Sequence, residues 1–185
     1  LEQYEKEQPG DERAETMMTG CEKALKWQEE KSRYTVESFK DANDKSADDF
    51  SPMWADRKNK TIMFTSDRVE GAYSKGDYDR TLRGYSDVWQ VKKGRAGRGK
   101  PDKWGKPELV EGLNTKYNDG TVAFNSRKTK MYITQCNGLT GKEPKCKIYE
   151  ARKSGKGWQM SEEPLSFAGG ENNPWNYGHP TLGDK

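Results

Sequence analysis

The sequence predicts a mainly β protein with a short α segment at its N-terminus. A hairpin pattern, in which two short alternating runs enclose a polar turn, occurs at 51–65 and again at 121–134. The corresponding residues are Trp54 and Phe124, Phe64 and Ile133, and Thr65 and Thr134. A third copy begins at 178–182, and a hairpin unit that recurs along a chain is the signature of a repeat protein.

The composition gives two opposing indications about a folded core. The 185 residues are only 30% apolar, with a mean hydropathy of −1.24, and both values lean toward disorder. Six Trp, nine Tyr and five Phe, placed in alternating runs, instead favour an aromatic-rich β structure with long polar loops. The length suits one ordinary domain or slightly more.

Charge and targeting signals argue against several classes of protein. The formal net charge is +3, which predicts neither a nucleic-acid-binding protein nor strong steering toward an acidic partner. No run approaches a membrane span, and Leu1–Glu7 lacks the regions of a signal peptide. Either the protein is cytosolic or the numbering begins inside a longer, processed chain. The repeat that opens shortly before Lys185 favours the longer chain.

Residues 1–40 are predicted to be helical. Asp11 follows Pro9-Gly10 and is a good N-cap. Gly20 is expected to interrupt the helix at a cost of about 1 kcal/mol, and Cys21 to pack as a small apolar group. One apolar face with helical spacing follows the cap, formed by Ala14, Met17, Met18, Cys21 and Leu25.

From about Asn43 the pattern changes to the two-residue period of β-strands. The first unit is predicted to have strands at 52–55, 61–66, 86–92 and 103–110, with an excursion at 67–85 and a basic loop at 92–100. The second unit repeats the order at 122–125, 130–135, 146–152 and 157–165. Four antiparallel strands per unit are the plan of a propeller blade, so we expect a partial β-propeller. Two blades cannot close a ring, so further blades are expected beyond Lys185 or from another chain.

The cysteines give an expectation about the redox environment. Cys136 and Cys146 flank a nine-residue polar loop at the mouth of one hairpin, which favours a disulfide between them. The alternative is two free thiols. A metal site is disfavoured because two cysteines and one distant histidine are too few ligands. A structural disulfide would indicate an oxidising compartment.

Catalytic and metal-binding patterns are weak. His179 is the only histidine and lies in a Gly-His-Pro turn, where a structural hydrogen bond is the simpler interpretation. The candidates for a carboxylate cluster with calcium or glycosidic chemistry are Asp67, Asp77, Asp79 and Asp87. Their spacing matches no calcium loop, and Asp67 is expected to pair locally with Arg68. No catalytic, cofactor-binding or metal-ligating residue is therefore predicted.

Two further features have simple structural interpretations. The basic loop 92–100 could meet phosphate or anionic lipid, but a solvated hairpin tip is the simpler interpretation. Four tryptophans at strand positions favour packing between blades over ligand platforms: Trp54, Trp89, Trp104 and Trp158.

Short motifs along the chain resemble those of a known family: Asp49–Pro52, Phe64–Arg68, Tyr85–Trp89, Asn114-Thr115, Met131-Tyr132 and Gly178–Pro180. In this order they are similar to the TolB-type, WD-repeat-like propeller motif of Bacteroidetes outer-membrane proteins. In that family, tetratricopeptide (TPR) helices precede the propeller and an OmpA-like peptidoglycan-binding domain follows it. The usual Asp-Gly between the first two strands is absent, since 57–60 and Arg127-Lys128 stand there.

The resemblance implies a domain organisation and a function. Residues 1–40 would be the end of a TPR-like helical region with its linker, and 41–185 the first blades of the propeller. The function implied is a non-catalytic protein–protein interaction scaffold on the periplasmic side of the outer membrane. Within the family, the resemblance points to a type IX secretion system component and a suspected lipoprotein.

The implied partners follow from the same resemblance. They are other type IX secretion system proteins, including an outer-membrane barrel-associated component, and peptidoglycan through a domain absent from this chain. No cofactor and no nucleic acid is expected. The alternative is a propeller that gates or accompanies a hydrolase, either a peptidase or a glycosidase. The sequence that follows Lys185 in the full gene would distinguish the two.

Overall fold

The computed structural model is mainly β, with a short helical segment at the N-terminus, as predicted. It describes residues 2–30, 32–73, 76–79, 81–94, 103–137, 145–155, 157–168 and 173–183. The chain divides into two compact regions, a helical region at 1–38 and a sheet region at 39–185.

The helical region contains helices α1 (Glu2–Glu7) and α2 (Glu12–Glu29). Asp11 caps α2 as predicted, because its carboxylate accepts a hydrogen bond from the Arg13 N–H at 3.0 Å. The helix runs through Gly20 without interruption, contrary to the prediction. It ends before Glu30, and described residues 32–38 form no helix, so the prediction of helix to residue 40 is also wrong.

The apolar face of α2 is largely uncovered within the helical region. Ala14 is buried, whereas Met17, Leu25 and Cys21 are exposed. The prediction that Cys21 packs as a small apolar group is therefore wrong. The physical reason is the size of the neighbouring helix, since α1 has six residues and none of them is buried.

The first sheet lies in the sheet region. Its strands are β1 (Asp49–Trp54), β2 (Thr61–Ser66), β5 (Asp87–Gly94), β6 (Lys103–Trp104) and β7 (Glu108–Leu109). They are antiparallel in the order β1-β2-β5-β6, and β7 also pairs with β5. The predicted strand 103–110 is thus two short strands, interrupted around Pro107, which has no N–H to donate. The excursion at 67–85 contains a separate pair, β3 (Asp77–Tyr78) and β4 (Arg83–Gly84).

The second sheet follows the same order. Its strands are β8 (Asn118–Phe124), β9 (Lys130–Asn137), β10 (Lys145–Ser154) and β11 (Gly157–Met160), all antiparallel in the order β11-β10-β9-β8. The predicted fourth strand, 157–165, ends at Met160 and is followed by a short 3-10 turn at Ser166–Ala168. Leu165 still donates its N–H to the Ile148 carbonyl at 2.9 Å, beyond the regular ladder.

The two sheets share one register, which confirms the correspondences predicted from the sequence. The cross-strand pairs of the first sheet and their counterparts in the second are Trp54–Ile62 and Phe124–Met131, Phe64–Trp89 and Ile133–Tyr149, and Thr65–Val88 and Thr134–Ile148. The first strand of each sheet also carries a bulge at nearly the same place, between Phe50 and Met53 in β1 and between Asp119 and Val122 in β8. By this register Asp49 corresponds to Asp119.

The main core lies between the sheets. Met63, Val88 and Val110 of the first sheet region pack in one buried cluster with residues of the second, including Met131 and Ile133. A second, smaller cluster covers the other face of the first sheet, where Phe64, Trp89 and Val91 pack with Ala42 and Phe39. Burial of these side chains is the main stabilising contribution, at about 25 cal/mol per Å² of apolar surface.

Candidate functional site

The sheets are joined at one end by a hydrogen-bonded junction. The Asn118 side-chain oxygen accepts a hydrogen bond from the Ser86 N–H at 2.9 Å, and the Asp119 N–H donates to the Ser86 carbonyl at 2.7 Å. Ser86 directly precedes β5 and Asn118 begins β8. The start of the second sheet is therefore bound to the backbone of the first.

The third copy of the repeat makes the same junction with the second sheet. The Asn176 side-chain oxygen accepts from the Cys146 N–H at 2.8 Å, and the Tyr177 N–H donates to the Cys146 carbonyl at 2.9 Å. Cys146 corresponds to Ser86 by the register above, so the same atoms are joined at equivalent positions. The described part of the chain thus repeats not only a sheet but also the connection between sheets.

Two glycines complete these junctions. Gly120 lies against the Thr65 side chain, and Gly178 lies against Thr134, the residue that corresponds to Thr65. The residue after Gly178, His179, donates its N–H to the Thr134 hydroxyl at 3.0 Å. His179 itself is exposed, so its placement agrees with the structural hydrogen bond expected for this turn, made by its backbone.

Asp87 and Asp119 are two buried carboxyl groups at the first junction, each 1% exposed or less. Burial raises the pKa of Asp87 to about 6, and a hydrogen bond from the Tyr73 N–H only partly opposes this. Burial likewise raises the pKa of Asp119 to about 7, against the hydrogen bond from Thr115, and the nearby Asp87 charge adds to the increase. One Asp87 oxygen, Oδ1, has no hydrogen-bond partner among the described residues.

The corresponding carboxylate of the first sheet has the opposite electrostatics. Asp49 pairs with Arg68 at 2.6 Å, and both side chains are buried. Burial alone would raise the pKa of Asp49, but hydrogen bonds from the Asp44 N–H and from Arg68 hold it below its ordinary value. Asp119 instead accepts from the uncharged Gln135 amide at 2.8 Å. Burial and the nearby Asp87 charge raise the pKa of Asp119, whereas the hydrogen bonds from the Asp44 N–H and the Arg68 guanidinium lower that of Asp49, so equivalent aspartates have opposite pKa shifts.

Arg68 is itself held by several groups. Its guanidinium donates to the Ala42 carbonyl at 2.8 Å and to the Ser66 hydroxyl at 2.9 Å. It also lies over the rings of Phe64 and Trp89, at 5.1 and 5.0 Å from the ring centroids. This arrangement fixes the loop before β1 to the outer face of the first sheet.

The four aspartates singled out from the sequence have different environments. Asp67 pairs with Arg83 at 2.6 Å, and not with Arg68 as predicted. Asp77 lies on β3, Asp79 follows that strand, and Asp87 is buried at the junction. No group of three or more metal-ligating side chains is found among the described residues.

The four tryptophans predicted to pack between blades divide between the core shared by the two sheets and the outer face of the first sheet. Trp158 packs on Phe124 and joins the core between the sheets. Trp89 and Trp104 belong to the cluster on the outer face of the first sheet, and Trp54, 40% exposed, stacks on Trp104. Packing between the two sheets therefore applies to Trp158, and for the other three that prediction is not met by these sheets.

Cys136 and Cys146 face each other across β9 and β10 and form a disulfide. Of the predicted loop between them, 138–144 lies outside the described residues. Lys92 and Lys93, at the start of the predicted basic loop, are described, and 95–100 are not. Lys92 pairs with Glu108, and Lys93 lies 5.7 Å from the ring centroid of Trp104.

Sequence reasoning missed Asn118 and Asp119 as junction residues and Arg68 as the buried partner of Asp49. The available signal was the run Asn118-Asp119-Gly120, which directly precedes the second alternating run as Asp48-Asp49 precedes the first. Nothing local marks Asp119 as buried, because its burial depends on the neighbouring sheet.

Comparison with known proteins returned no matching family model, no matching curated protein and no matching solved structure. Neither described helix has the length and apolar character needed to cross a bilayer. What defines the site is thus its own geometry, a hydrogen-bonded junction that occurs twice and a pair of buried carboxyl groups at the first of them.

Proposed function

We propose that the two sheets are consecutive blades of a β-propeller that acts as a non-catalytic protein–protein interaction scaffold. The observation that carries this proposal is the repeated junction. Asn118 binds the backbone before β5, and Asn176 binds the equivalent backbone before Ile148 in β10. The same contact used twice relates the third unit to the second as the second is related to the first.

Radial repetition is the architecture that suits such a junction. Each unit is an antiparallel sheet of three long strands, completed by β11 in the second sheet and by the short strands β6 and β7 in the first. Such a sheet leaves one face uncovered until the next unit packs on it. Arranging the units around an axis leaves only short edges and covers successive faces. The core shared by Met63 and Val88 with Met131 and Ile133 is the contact expected between adjacent blades. Further blades would complete the ring.

The outer face of the first sheet offers a surface for another blade or a partner protein. Trp54 is 40% exposed and stacks on Trp104 of the same sheet. Aromatic side chains exposed together are a feature of protein interaction sites. In the proposed ring this face would receive the last blade.

The location we propose is the periplasmic side of the outer membrane, in the type IX secretion system. Two observations support it. The Cys136–Cys146 disulfide suits an oxidising compartment, and the order of the sequence motifs resembles the outer-membrane propeller family described above. The proposed partners are other secretion-system proteins, with peptidoglycan bound through an OmpA-like domain that is not part of these 185 residues.

Site-specific photo-cross-linking in the native cell tests this proposal. A photoreactive amino acid replaces Trp54 on the outer face, and a matched variant carries it at Leu82, which is 82% exposed in the excursion between β2 and β5. We expect the position 54 variant to cross-link to a blade of its own chain or to a secretion-system protein, and the Leu82 variant to do so less. Recovery of the protein in the cytosol with all cysteines reduced would overturn the location. Cross-links from position 54 to a hydrolase domain would overturn the scaffold.

Completeness of the ring is tested separately. Residues 1–185 alone and a longer product of the same gene are compared by sedimentation and thermal unfolding. The proposal predicts self-association and broad unfolding for residues 1–185, because the outer faces of both sheets would lack their neighbours. A monomer with sharp two-state unfolding would remove the propeller and the function attached to it.

A further inference from the structure

Basic side chains gather at one end of both sheets. This end consists of the β1–β2 and β8–β9 turns, the last residues of β5 and β10, and the segment around β6. Its described cations, which we call the basic end, are Arg57, Lys58, Lys60, Lys92, Lys93, Lys103, Lys106, Arg127, Lys128, Lys130, Arg152 and Lys153. The net charge of only +3 for the whole chain therefore conceals a local excess.

The two sheets contribute to the same end of the structure. The Asp119 N–H donates to the Ser86 carbonyl, so the starts of β8 and β5 lie together at the junction. At the other ends of the strands, Ala55 and Phe124 belong to the same core cluster. The turns that follow these two residues, 56–60 and 125–129, consequently lie on one side of the pair of sheets.

The described carboxylates at the basic end are few, and each of them already makes hydrogen bonds or ion pairs. Asp56 accepts hydrogen bonds from the N–H groups of Lys58 and Lys60, which hold its pKa below the ordinary value despite partial burial. Glu108 pairs with Lys92. Glu150 pairs with Arg152 at 2.6 Å and with Lys130 at 3.3 Å.

The opposite end of the sheets carries both aspartates and cations, and the cations include Lys45, Lys116 and Lys147. The carboxylates near the start of β1, the end of β2 and the junction are Asp44, Asp48, Asp49, Asp67, Asp87 and Asp119. Arg68 and Arg83 pair with some of them. Cations therefore balance the carboxylates at this end, whereas the described cations of the basic end outnumber its carboxylates.

An aromatic and lysine arrangement recurs at the basic end. Trp104 stacks on Trp54 and carries the Lys93 ammonium 5.7 Å from its centroid. In the second sheet Trp158 packs on Phe124 and carries the Lys153 ammonium at 6.0 Å. Lys93 and Lys153 occupy corresponding positions in the register, since each pairs with its tryptophan across the strands.

We propose that the basic end binds the surface of a bilayer that contains anionic phospholipid. Lysines and arginines spread over the ends of two adjacent sheets form a broad positive surface, and each such side chain near an anionic bilayer contributes to binding. Tryptophan at the rim suits the boundary between headgroups and water. This inference stands apart from the propeller scaffold, because it needs only the two described sheets.

A nucleic acid is the other polyanion that such a surface could attract, and the geometry favours it less. Single-stranded binding uses open aromatic faces on which bases stack. Here Trp54 and Trp104 stack on each other, and Phe124 is buried beneath Trp158 and Lys128. Most of the cations are also lysines, which bind as point charges and lack the planar fork of arginine.

Vesicle co-sedimentation tests the proposal. The probes are vesicles of phosphatidylcholine alone and vesicles of phosphatidylcholine mixed with phosphatidylglycerol. The test variant reverses four exposed cations of the basic end, R57E, K58E, R127E and K153E. The matched control reverses four exposed lysines outside the basic end, K23E, K26E, K45E and K116E. Both variants have the same net charge.

We expect wild-type protein to bind the anionic vesicles and not the neutral ones. The test variant should lose at least about 100-fold in partition coefficient, since each reversed charge removes an attraction and adds a repulsion. The control variant should lose less than about 5-fold, and raised salt should weaken the binding of the wild type. Equal losses in both variants, or wild-type binding to neutral vesicles, would overturn the proposal.

Two further measurements keep the test decisive. Circular dichroism shows whether the test variant is folded, and if it is not, the milder double variant K58Q/K153Q replaces it, with an expected loss of about 10-fold or more. A single-stranded oligonucleotide is titrated in parallel. Tighter binding of the oligonucleotide than of the anionic vesicles, lost in the same variant, would assign the surface to nucleic acid and overturn the lipid proposal.

Discussion

Gly120 lies directly over Thr65, with no space between them for a side chain. A Cβ at position 120 would come 2.7 Å from the Thr65 Cγ2 and closer still to the hydroxyl oxygen. Gly120 also has a φ of +108°, a conformation that other residues rarely adopt. This contact fixes the distance between the first two sheets, and Gly178 makes a looser version of it with Thr134.

Replacing Gly120 by alanine should destabilise the protein by about 3 kcal/mol, the sum of backbone strain and overpacking. The measurement is the free energy of unfolding from urea titration. The matched control is Gly155→Ala, since Gly155 also has a positive φ but no described atom lies within 4 Å of its missing Cβ. It should cost about 1 kcal/mol. Equal losses in the two variants would show that the Thr65 contact is unimportant, and adding Thr65→Ala to Gly120→Ala should restore part of the stability.

The buried carboxyl groups predict that stability falls as the pH rises above about 4. The pKa of Asp87 is about 6 and that of Asp119 is about 7 in the folded protein, whereas an aspartate in the unfolded chain releases its proton near pH 4. The folded protein therefore holds protons that the unfolded chain has lost. Their stabilising contribution is complete below about pH 4 and disappears as the pH passes through about 6 and about 7.

Asp87→Asn should reduce this pH dependence, because it removes one buried charge and the repulsion that this charge exerts on Asp119. The change in unfolding free energy between pH 4 and pH 8 should shrink by up to about 3 kcal/mol. Urea titrations at several pH values measure it, with the exposed Asp77→Asn as control. A variant that retains the full pH dependence of the wild type would show that Asp87 is not protonated in the folded state.

The disulfide predicts unequal reactivity of the three cysteines. Without reduction, iodoacetamide should modify one cysteine, Cys21, which is exposed, and after reduction in denaturant it should modify three. Intact mass spectrometry counts the modifications. Cys136→Ser should destabilise the oxidised protein by about 3 kcal/mol in the chain-entropy model. Modification of all three cysteines before reduction would remove both the bridge and the argument for an oxidising compartment.

Arg68→Ala should cost about 3 to 5 kcal/mol, because it leaves the buried Asp49 carboxylate without its partner. Arg68→Lys should recover little, since an ammonium cannot reproduce the forked hydrogen bonds and the stacking on Phe64 and Trp89. The control is Arg83→Ala, whose partly exposed pair with Asp67 is worth about 1 kcal/mol or less. Thermal unfolding distinguishes these results, and similar losses at both positions would contradict the importance assigned to burial.

The register of the sheets was predictable because alternation determines it. A slip of one residue would turn every core side chain to the other face, so the alternating runs at 61–66 and 130–135 admit a single pairing. The turns were less predictable. Asp56 and Asn125 bind the N–H groups that follow them, and in this way they replace the Asp-Gly turn that the family pattern would provide.

Features that depend on contacts between residues distant in the chain could not be predicted from the sequence. Successive side chains of an extended chain point in opposite directions, so the neighbours Asp67 and Arg68 reach separate partners, Arg83 and Asp49. Helical periodicity revealed an apolar face on α2 but not whether anything covers it. Asp119 is equally unremarkable locally, and its raised pKa arises from burial between two sheets whose packing no short motif describes.

Asn118 and Asn176 each accept a hydrogen bond from a main-chain N–H of the preceding unit, and every residue except proline has this group. Asn118 also accepts a hydrogen bond from the Ser86 hydroxyl at 3.2 Å, so the contact that the two junctions share is the one to the main chain. A unit that begins with such an asparagine can therefore follow any unit that presents a free N–H before its third strand, whatever side chains that unit carries. Duplication or deletion of a gene segment spanning one unit would leave the connection intact. The array could in this way change its number of units during evolution while its exposed surfaces diverged independently.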